Sequence, residues 1–306
     1  MLQFTLRRFI RGILTLWVVV TLVFFGLRLS GDPVFLMLGD EASPEAVTAL
    51  REQLGLEEPL PMQYVRYFQM VGQGDFGNSL RERRPVTEIV AERLPATAEL
   101  ASAAIMISIV LGIPMGIFAA LRRNTAVDRG LMAIAFVGQS APGFFVGIML
   151  ILIFSMQLQL LPSSGRGTWQ HLLMPAIALS TYGIASLARL TRSAMLEVLS
   201  KDYVRTARAK GLKESIVQMR HVLRNAAIPV ITVLGLQVGL AISGAIVVET
   251  VFAWPGMGRL IIGAVTNRDY PVIQMAVLLI AVSVVIVNFI VDILYGVLDP
   301  RIRYQS

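Results

Sequence analysis

Apolar residues dominate six windows of this chain, and polar residues gather in the segments between them. A helix that spans a membrane needs roughly 20 consecutive, mainly apolar residues. Windows of this kind predict six transmembrane helices, the fourth of them short and weak, at about 9–29, 99–120, 131–156, 174–190, 226–252 and 272–298. We therefore expect an all-α integral membrane protein.

The composition supports a membrane protein and argues against several other classes. Of the 306 residues, 55% are hydrophobic and 15% are charged, whereas soluble domains carry about 25% charged residues. The net charge of +7 is compatible with nucleic-acid binding, but no aromatic-studded basic surface or binding motif accompanies it. The chain has no cysteine, and its two histidines, His171 and His221, fall in different predicted loops. We expect no nucleic-acid partner and no metal site.

The positions of arginine and lysine predict the orientation of the six helices. Short cytoplasmic loops of membrane proteins are enriched in these residues. With a cytoplasmic N-terminus, the inside segments hold the basic residues of 7–11, 122–129, 189–224 and 301–303, while the short outside loops hold only Arg166, Arg259 and Arg268. We therefore expect both termini in the cytoplasm.

This topology divides the chain into four parts. Residues 1–30 form the N-terminus and first helix, 31–98 an extracytoplasmic helical segment, 99–298 a five-helix core with a cytoplasmic loop at about 191–225, and 299–306 a cytoplasmic tail. In the outer segment, "SPEAVTALREQLGL" and "MQYVRYFQMV" each predict a short amphipathic helix, the first opening with Ser43 and Pro44. The segment either stabilises the bundle or offers a docking surface to a partner.

The cytoplasmic loop between the fourth and fifth windows is basic and helix-like. One apolar stripe, with residues three or four apart, is formed by Val204, Ala207, Gly211, Leu212, Ile216, Met219 and Leu223. This spacing predicts two short amphipathic helices that are interrupted at Gly211. The residues alone leave two roles open, a helix lying on the anionic inner leaflet and a docking site for another protein.

Polar residues inside the predicted spans are candidates for function. For Asp292 we favour a hydrogen bond between helices, with Asn288 one turn earlier as the partner, over a substrate or proton site. Glu249 either lines a path through the membrane or anchors the turn that follows it. In that turn, "VFAWPGMG" holds Trp254, Pro255 and Gly256 and predicts an irregular segment at a path or gate, or an ordinary aromatic belt at the interface.

Small residues and prolines lie inside the second and third windows. Gly112, Pro114 and Gly116 occur in the second, and Ser140, Pro142 and Gly143 in the third. Such residues kink helices and let them pack closely, and packing is the interpretation we favour for each of them.

The strings "RTARAKGL" and "HVLRNAAIPVI" resemble the EAA loop, the cytoplasmic loop of permease subunits in binding-protein-dependent ABC importers of the dipeptide/oligopeptide/nickel family. Aligned on Gly211 and its neighbour Leu212, the Glu-Ala-Ala positions hold Arg205, Thr206 and Ala207. The later positions of the motif hold His221, Leu223 and Arg224, and Asn225 completes the string H-x-L-R-N, which resembles this particular family. Of these, Ala207, Gly211 and Leu223 keep the general pattern. In order along the chain, "LGLEEPLPMQY", "GDFGNSL", "ERLPATAEL", "SAPGFFVG", "ETVFAWPGMGRL", "RDYPVIQ" and "LYGVLDPRIR" also resemble elements of that family.

The resemblance implies a permease subunit of the bacterial inner membrane, embedded in lipid, that forms a translocation path for peptides or a related small solute. Its implied partners are a second homologous permease, two cytoplasmic ATPase subunits and an extracytoplasmic solute-binding protein. The loop would supply the helix that enters a cleft of the ATPase. Because the chain has no phosphate-loop motif, we expect it to be no enzyme and to bind no cofactor, with ATP and Mg²⁺ bound by the ATPases.

Two other functions remain open at this point. An ion-coupled secondary carrier requires paired inverted repeats and buried titratable groups near the midplane. The six predicted spans contain one Asp and one Glu, and they match these requirements poorly. A membrane scaffold or receptor that transports nothing requires no coupling loop.

Overall fold

A computed structural model describes residues 2–29, 34, 43–53 and 56–298, with the exception of the side chains at 2–4, 46, 50, 53, 292 and 294–298. Within these residues every regular element is a helix, and one isolated antiparallel bridge joins Asn78 to Pro85. The helices are α1 Leu2–Leu29, α2 Pro44–Gln53, α3 Leu60–Gln73, α4 Val86–Leu121, α5 Ala126–Ser140, α6 Gly143–Gln157, α7 Trp169–Leu199, α8 Asp202–Ala209, α9 Glu214–Val251, α10 Met257–Thr266 and α11 Tyr270–Leu298.

Five of the described helices are long and apolar enough to cross a membrane, namely α1, α4, α7, α9 and α11. A sixth span is present if α5 and α6 count as one, although they are bent by 103° where they meet. The bend falls where Pro142 follows Ala141, whose backbone is extended with φ −76° and ψ 125°. The helical region is disfavoured for a residue before proline, and the extended backbone of Ala141 breaks the predicted window at 131–156 here.

Helix α7 is longer than the predicted fourth window at 174–190, and its mean hydropathy of 1.4 is the lowest of the five candidate spans, as the prediction of a weak span requires. It runs for 31 residues, and half of its most apolar window is buried within the protein. A helix that is surrounded by other helices needs less hydrophobic surface than one that faces lipid, and small residues let its neighbours approach. The hydropathy pattern therefore underestimated its length.

The glycines of α4 contact the backbone of α7 directly. A Cβ atom added at Gly112 would lie 2.8 Å from the carbonyl oxygen of Ile184, and one added at Gly116 would lie 2.4 Å from that of Ala188. Neither position has room for a side chain. This agrees with the packing role predicted for Gly112 and Gly116.

Outside the bundle, α3 packs on the end of α1 through aromatic rings. Phe24 is fully buried and stacks on Tyr67 at 5.6 Å between ring centroids, while the Arg28 guanidinium lies 3.5 Å from the Phe24 centroid. Arg28 also donates two hydrogen bonds to the Gln63 side-chain oxygen, at 2.9 and 2.7 Å. Burial raises the pKa of Tyr67 to about 12.

A bidentate ion pair ties the start of α5 to α7. Arg192 donates from Nε and Nη2 to the two Asp128 carboxylate oxygens, at 2.6 and 2.7 Å, and the Asn124 amide donates to the same carboxylate at 2.9 Å. The Asp128 side chain is 4% exposed and that of Arg192 is 27% exposed. The planar guanidinium matches the carboxylate geometry, and this match fixes the relative position of the two helices.

We predict that Asp128→Asn lowers the stability of the purified protein by about 2 kcal/mol, between the values typical of exposed and fully buried pairs. The matched control is Glu197→Gln, which removes the exposed i,i+4 pair with Lys201 and should cost less than about 0.5 kcal/mol. Thermal unfolding in detergent measures both. Equal midpoints for the two variants would show that the Asp128 pair does not hold α5 against α7.

Candidate functional site

The basic loop between α7 and α9 is interrupted at Gly211. Helix α8 ends at Ala209, and Gly211 has φ +75°, a left-handed conformation that favours glycine. The Leu212 amide then donates to the Ala207 carbonyl oxygen at 3.4 Å, which closes the end of α8. The next helix, α9, begins at Glu214, so the structure contains the break that the sequence predicted.

Buried side chains and one ion pair hold the loop against the membrane-spanning helices. Val204 and Ala207 of α8 pack with Val217 and Val222 of α9 in a cluster that includes Met195 of α7. Across the break, the Arg208 guanidinium donates to the Glu214 carboxylate at 3.1 and 2.8 Å. The loop therefore has a defined position relative to the C-terminal ends of α4 and α7.

The predicted apolar stripe is wrong beyond Gly211. Val204 and Ala207 are buried as expected, but an exposed apolar group, here termed the loop patch, is formed by Leu212, Ile216 and Met219, which are 38, 41 and 66% exposed. Val217 and Val222 are buried in their place. These two residues are five positions apart and would not share a face of an α-helix. Val217–Leu223 forms a π-helical turn, which has more residues per turn, so both side chains reach the buried face.

The other residues of the predicted loop site lie mainly on its surface. Arg205 and Thr206 are exposed, as are Arg224 and Asn225, while His221 and Leu223 are half-buried. The Asn225 side chain donates to the His221 carbonyl oxygen at 2.7 Å. The exposed residues of the loop thus include both the apolar loop patch and basic side chains.

Glu249, near the end of α9, is fully buried and accepts three hydrogen bonds. Its Oε1 accepts from the Thr97 hydroxyl at 2.5 Å, and its Oε2 accepts from the backbone amides of Gly258 and Arg259 at 2.7 and 3.1 Å. The Thr97 oxygen in turn accepts from the Met257 amide at 2.7 Å. Of the two roles left open by the sequence, these contacts support the anchoring of the turn.

The turn after Glu249 is packed into the bundle. Trp254 is fully buried, and its indole N–H donates to the Ala96 carbonyl oxygen at 2.8 Å. Gly256 is also buried, and Pro255 beside it is half-buried. A Cβ atom at Gly256 would lie 2.1 Å from Glu249 Oε1, so glycine is required where the carboxylate approaches the chain. Helix α10 then begins at Met257.

The intramembrane pair predicted in the last span is only partly described. Asn288 of α11 is half-buried and faces α9, since a Cβ atom at Gly239 would lie 3.9 Å from its side-chain oxygen. The side chain of Asp292 lies outside the described residues. The hydrogen bond between Asn288 and Asp292 stays a prediction.

A cavity of about 410 Å³ lies between α4, α6, α7 and α9, and the sequence analysis did not find it. Its lining includes Ser108, Tyr182, Gly183 and Gln237. Gln237 lies near the middle of the apolar window 226–252, where any polar side chain is a candidate for function. The polar residues predicted from the sequence as functional in the spans are Glu249, Asp292 and Asn288, and this neutral amide is not among them.

No group of three or more potential metal-binding His, Asp or Glu residues occurs in the part of the chain that the structure describes.

The comparisons with known proteins agree with this architecture. Residues 112–304 match the family model described as binding-protein-dependent transport system inner membrane component, and residues 1–101 match the model of its N-terminal region. The chain belongs to this family. The permease is therefore a multi-span membrane component of a bacterial ABC importer, and not a catalytic ATPase.

Relatives of the same length are glutathione transport permeases. The permease is 45% identical to the glutathione transport system permease protein GsiC of Salmonella paratyphi A over 306 residues, which is 100% of both chains. It is 44% identical, again over 100% of both chains, to the GsiC protein of Escherichia coli K12.

Two solved ABC transporters share the fold. One is the MetNI methionine transporter in an inward-facing conformation, with a TM-score of 0.60, 17% identity, and coverage of 70% of the permease and 97% of the matched chain. The other is an amino acid ABC transporter with histidines, with a TM-score of 0.54, 17% identity, and coverage of 69 and 94%.

We predict that Gly256→Ala destabilises the permease by about 1 to 3 kcal/mol, because the added methyl group overlaps the Glu249 carboxylate. The control is Gly263→Ala in α10, where a Cβ atom meets nothing within 4 Å and alanine should stabilise the helix by about 0.5 to 1 kcal/mol. Thermal unfolding and the amount of protein recovered from membranes measure both effects. If Gly256→Ala and the control have the same unfolding midpoint and the same recovery from membranes, Glu249 does not anchor the turn.

Proposed function

We propose that the permease forms, together with a second homologous permease, a path through the cytoplasmic membrane for di- or oligopeptides or a related small solute. The observation that carries this proposal is the full-length identity of 45% to a protein named as a glutathione transport permease. Glutathione is a small peptide. Solute selection would fall largely to an extracytoplasmic binding protein, and the bilayer lipid would surround the helices.

The loop patch supports a coupling role for the cytoplasmic loop. Leu212, Ile216 and Met219 are exposed on a segment that buried residues hold in place, and exposed apolar groups with a polar border are typical of protein interfaces. Two ATPase subunits, which would bind ATP and Mg²⁺, are the partners we propose for this surface. Closure of the ATPases around nucleotide would then favour one state of the permease pair over the other.

The orientation that we propose follows from the basic residues. Both termini and the loop with α8 lie in the cytoplasm, and α2 and α3 lie outside, where they can cap the bundle or contact the binding protein. Arg205 and Arg224 then lie on the cytoplasmic side, and Arg166 and Arg259 on the outer side.

The buried acids give no support to an ion-coupled carrier. Within the described residues, the buried carboxylic acids are Asp128, Glu249 and Asp269, and each accepts hydrogen bonds from neighbouring protein groups. A carrier needs a titratable group that is available to an ion near the midplane. A scaffold without transport activity would need no loop that couples it to ATPases.

Uptake by the assembled importer tests the proposal. We expect vesicles that contain the permease and its partner subunits to take up labelled glutathione or trialanine only with ATP on the ATPase side and binding protein on the other. An ionophore should leave the rate unchanged. Uptake that an ion gradient drives without ATP would instead show the permease to be a secondary carrier.

A pair of glycine substitutions tests the coupling role of the loop. Gly211 and Gly74 have nearly the same φ, +75° and +72°, and a Cβ atom at either meets nothing within 4 Å. Leucine at either position should therefore cost a similar backbone strain of about 1 to 2 kcal/mol. We predict that Gly211→Leu lowers both the co-purification of the ATPases and solute uptake, while Gly74→Leu lowers neither beyond the effect of reduced stability.

Insertion into the membrane and pairing with the second permease should survive in both glycine variants. If Gly211→Leu and Gly74→Leu retain the ATPases equally well, the loop does not dock on them. The inner leaflet of the membrane would then be its partner.

A further inference from the structure

A cavity of about 400 Å³ lies where the turn at 79–83, helix α4 and helix α10 meet. Helix α4 has 36 residues and is about 54 Å long at 1.5 Å per residue, whereas the hydrocarbon core of a membrane is about 30 Å thick. Arg122 and Arg123 follow the C-terminal end of α4 and hold it at the cytoplasmic surface in the proposed orientation. Arg93 lines the cavity from the first turns of α4, so the cavity lies at or beyond the outer surface of the membrane.

The acids that line this cavity have partners nearby. Asp269 accepts hydrogen bonds from the Ser79 hydroxyl and from the Leu80 amide, the latter at 3.1 Å. The Glu82 carboxylate lies 3.7 Å from Nη1 of Arg84, which is not part of the lining. These contacts hold the turn in place and leave neither acid unpaired.

The arginines that line the cavity have no acidic partner among the described residues. Arg81 donates to the Asn267 side-chain oxygen, and Arg259 donates to the Ala253 carbonyl oxygen at 2.8 Å, so both acceptors are neutral. Arg93 is half-buried and makes no hydrogen bond or ion pair within the described chain. Its Nε is enclosed, whereas its two Nη atoms are not. Because a half-buried cation without a counterion is costly, the cavity is suited to an anion.

We propose that this cavity receives the carboxylate of an Asp or Glu side chain of the extracytoplasmic solute-binding protein, with Arg93 and Arg259 as its hydrogen-bond donors. The proposal rests on the proposed function, both for the partner and for the orientation of the permease. The family is described as binding-protein-dependent, so a protein that docks on the outer surface is part of the transport system. The two coplanar oxygens of a carboxylate match the paired donors of a guanidinium, and such pairs fix the register of an interface.

A protein docked at this cavity would contact two parts of the permease at once. The turn at 79–83 belongs to the outer segment, whereas Pro255 and Gly256, which also line the cavity, belong to the turn that Glu249 anchors. The sequence left the outer segment with two roles, stabilising the bundle or offering a docking surface. The unpaired Arg93 favours the docking surface.

Docking is measured with the solute-binding protein encoded beside the permease gene, labelled with a fluorophore, and with the assembled importer in phosphatidylcholine nanodiscs. Arg93→Gln removes the charge and keeps a polar side chain. The control is Arg83→Gln, because Arg83 is exposed in the same turn, lies outside the cavity lining and makes no ion pair within the described residues. Both substitutions remove one positive charge, so a difference between them reports a direct contact and not the overall field.

We expect Arg93→Gln to raise the Kd of docking about tenfold and Arg83→Gln to change it less than about twofold. Equal unfolding midpoints of the two variants exclude misfolding as the cause, and Arg259→Gln, which should also raise the Kd, is the second variant. Docking on Arg93→Glu should be restored by replacing one exposed Asp or Glu of the binding protein with Lys. A purely structural role of Arg93 would not produce this rescue.

Three results would overturn the proposal. They are an absence of docking on the unmodified importer, equal Kd values for Arg93→Gln and Arg83→Gln, and no rescue of Arg93→Glu by any such variant of the binding protein. A loss of affinity seen only with trialanine present would assign the cavity to the solute carboxylate instead. A loss confined to nanodiscs that contain phosphatidylglycerol would assign it to a lipid phosphate.

Uptake in vesicles separates this proposal from the proposed function. Docking that depends on Arg93, without uptake of glutathione or trialanine, refutes only the proposed solutes. Uptake driven by ATP, with equal Kd values for Arg93→Gln and Arg83→Gln, refutes only the docking cavity.

Discussion

Close contact between helix backbones at α7 is the constraint on which most of this bundle depends. Gly112 and Gly116 of α4 lie against the α7 carbonyl groups at distances that exclude any side chain, and α7 also packs against α5, α6 and α9. In lipid, where burial of apolar groups adds little to helix association, such close packing is a main source of stability. The length of α7, its small residues and its modest hydropathy all follow from its central position.

Two buried acids fix the elements around this centre, and each does so through neighbouring hydrogen-bond donors. Asp128 receives the Arg192 guanidinium, which joins α5 to α7, and Glu249 receives the Thr97 hydroxyl and two amides, which join α9 to α4 and to the start of α10. Buried carboxylates require such partners, because unpaired charge away from water is costly. These acids are parts of the framework, in contrast to Arg93, which has no acidic partner within the described residues.

The functional surfaces are separated along the bundle. At one end the loop patch is exposed on a segment whose opposite face is anchored by Val204, Val217 and Val222, an arrangement that suits the transmission of a force from a partner. At mid-span the cavity beside Gln237 is lined by four helices, so a change in their relative positions would change its shape. An anchored loop surface at one end and a cavity among four helices would both suit the transport role proposed for this permease.

The sequence by itself determined the helical membrane class, because lipid demands long apolar helices and leaves that demand visible in composition and window length. It also located the break at Gly211, since a single glycine inside a helical pattern is a local signal. Only the tertiary structure decided that α7 is long, that Met219 is exposed while Val222 is buried, and that Glu249 anchors a turn. The reason is physical, because each of these features depends on residues distant in the chain. They are the face buried by a π-helical turn, the contact between α4 and α7, and the hydrogen-bond partners of a buried carboxylate. A local pattern of apolar and polar positions does not show which distant residues will be in contact.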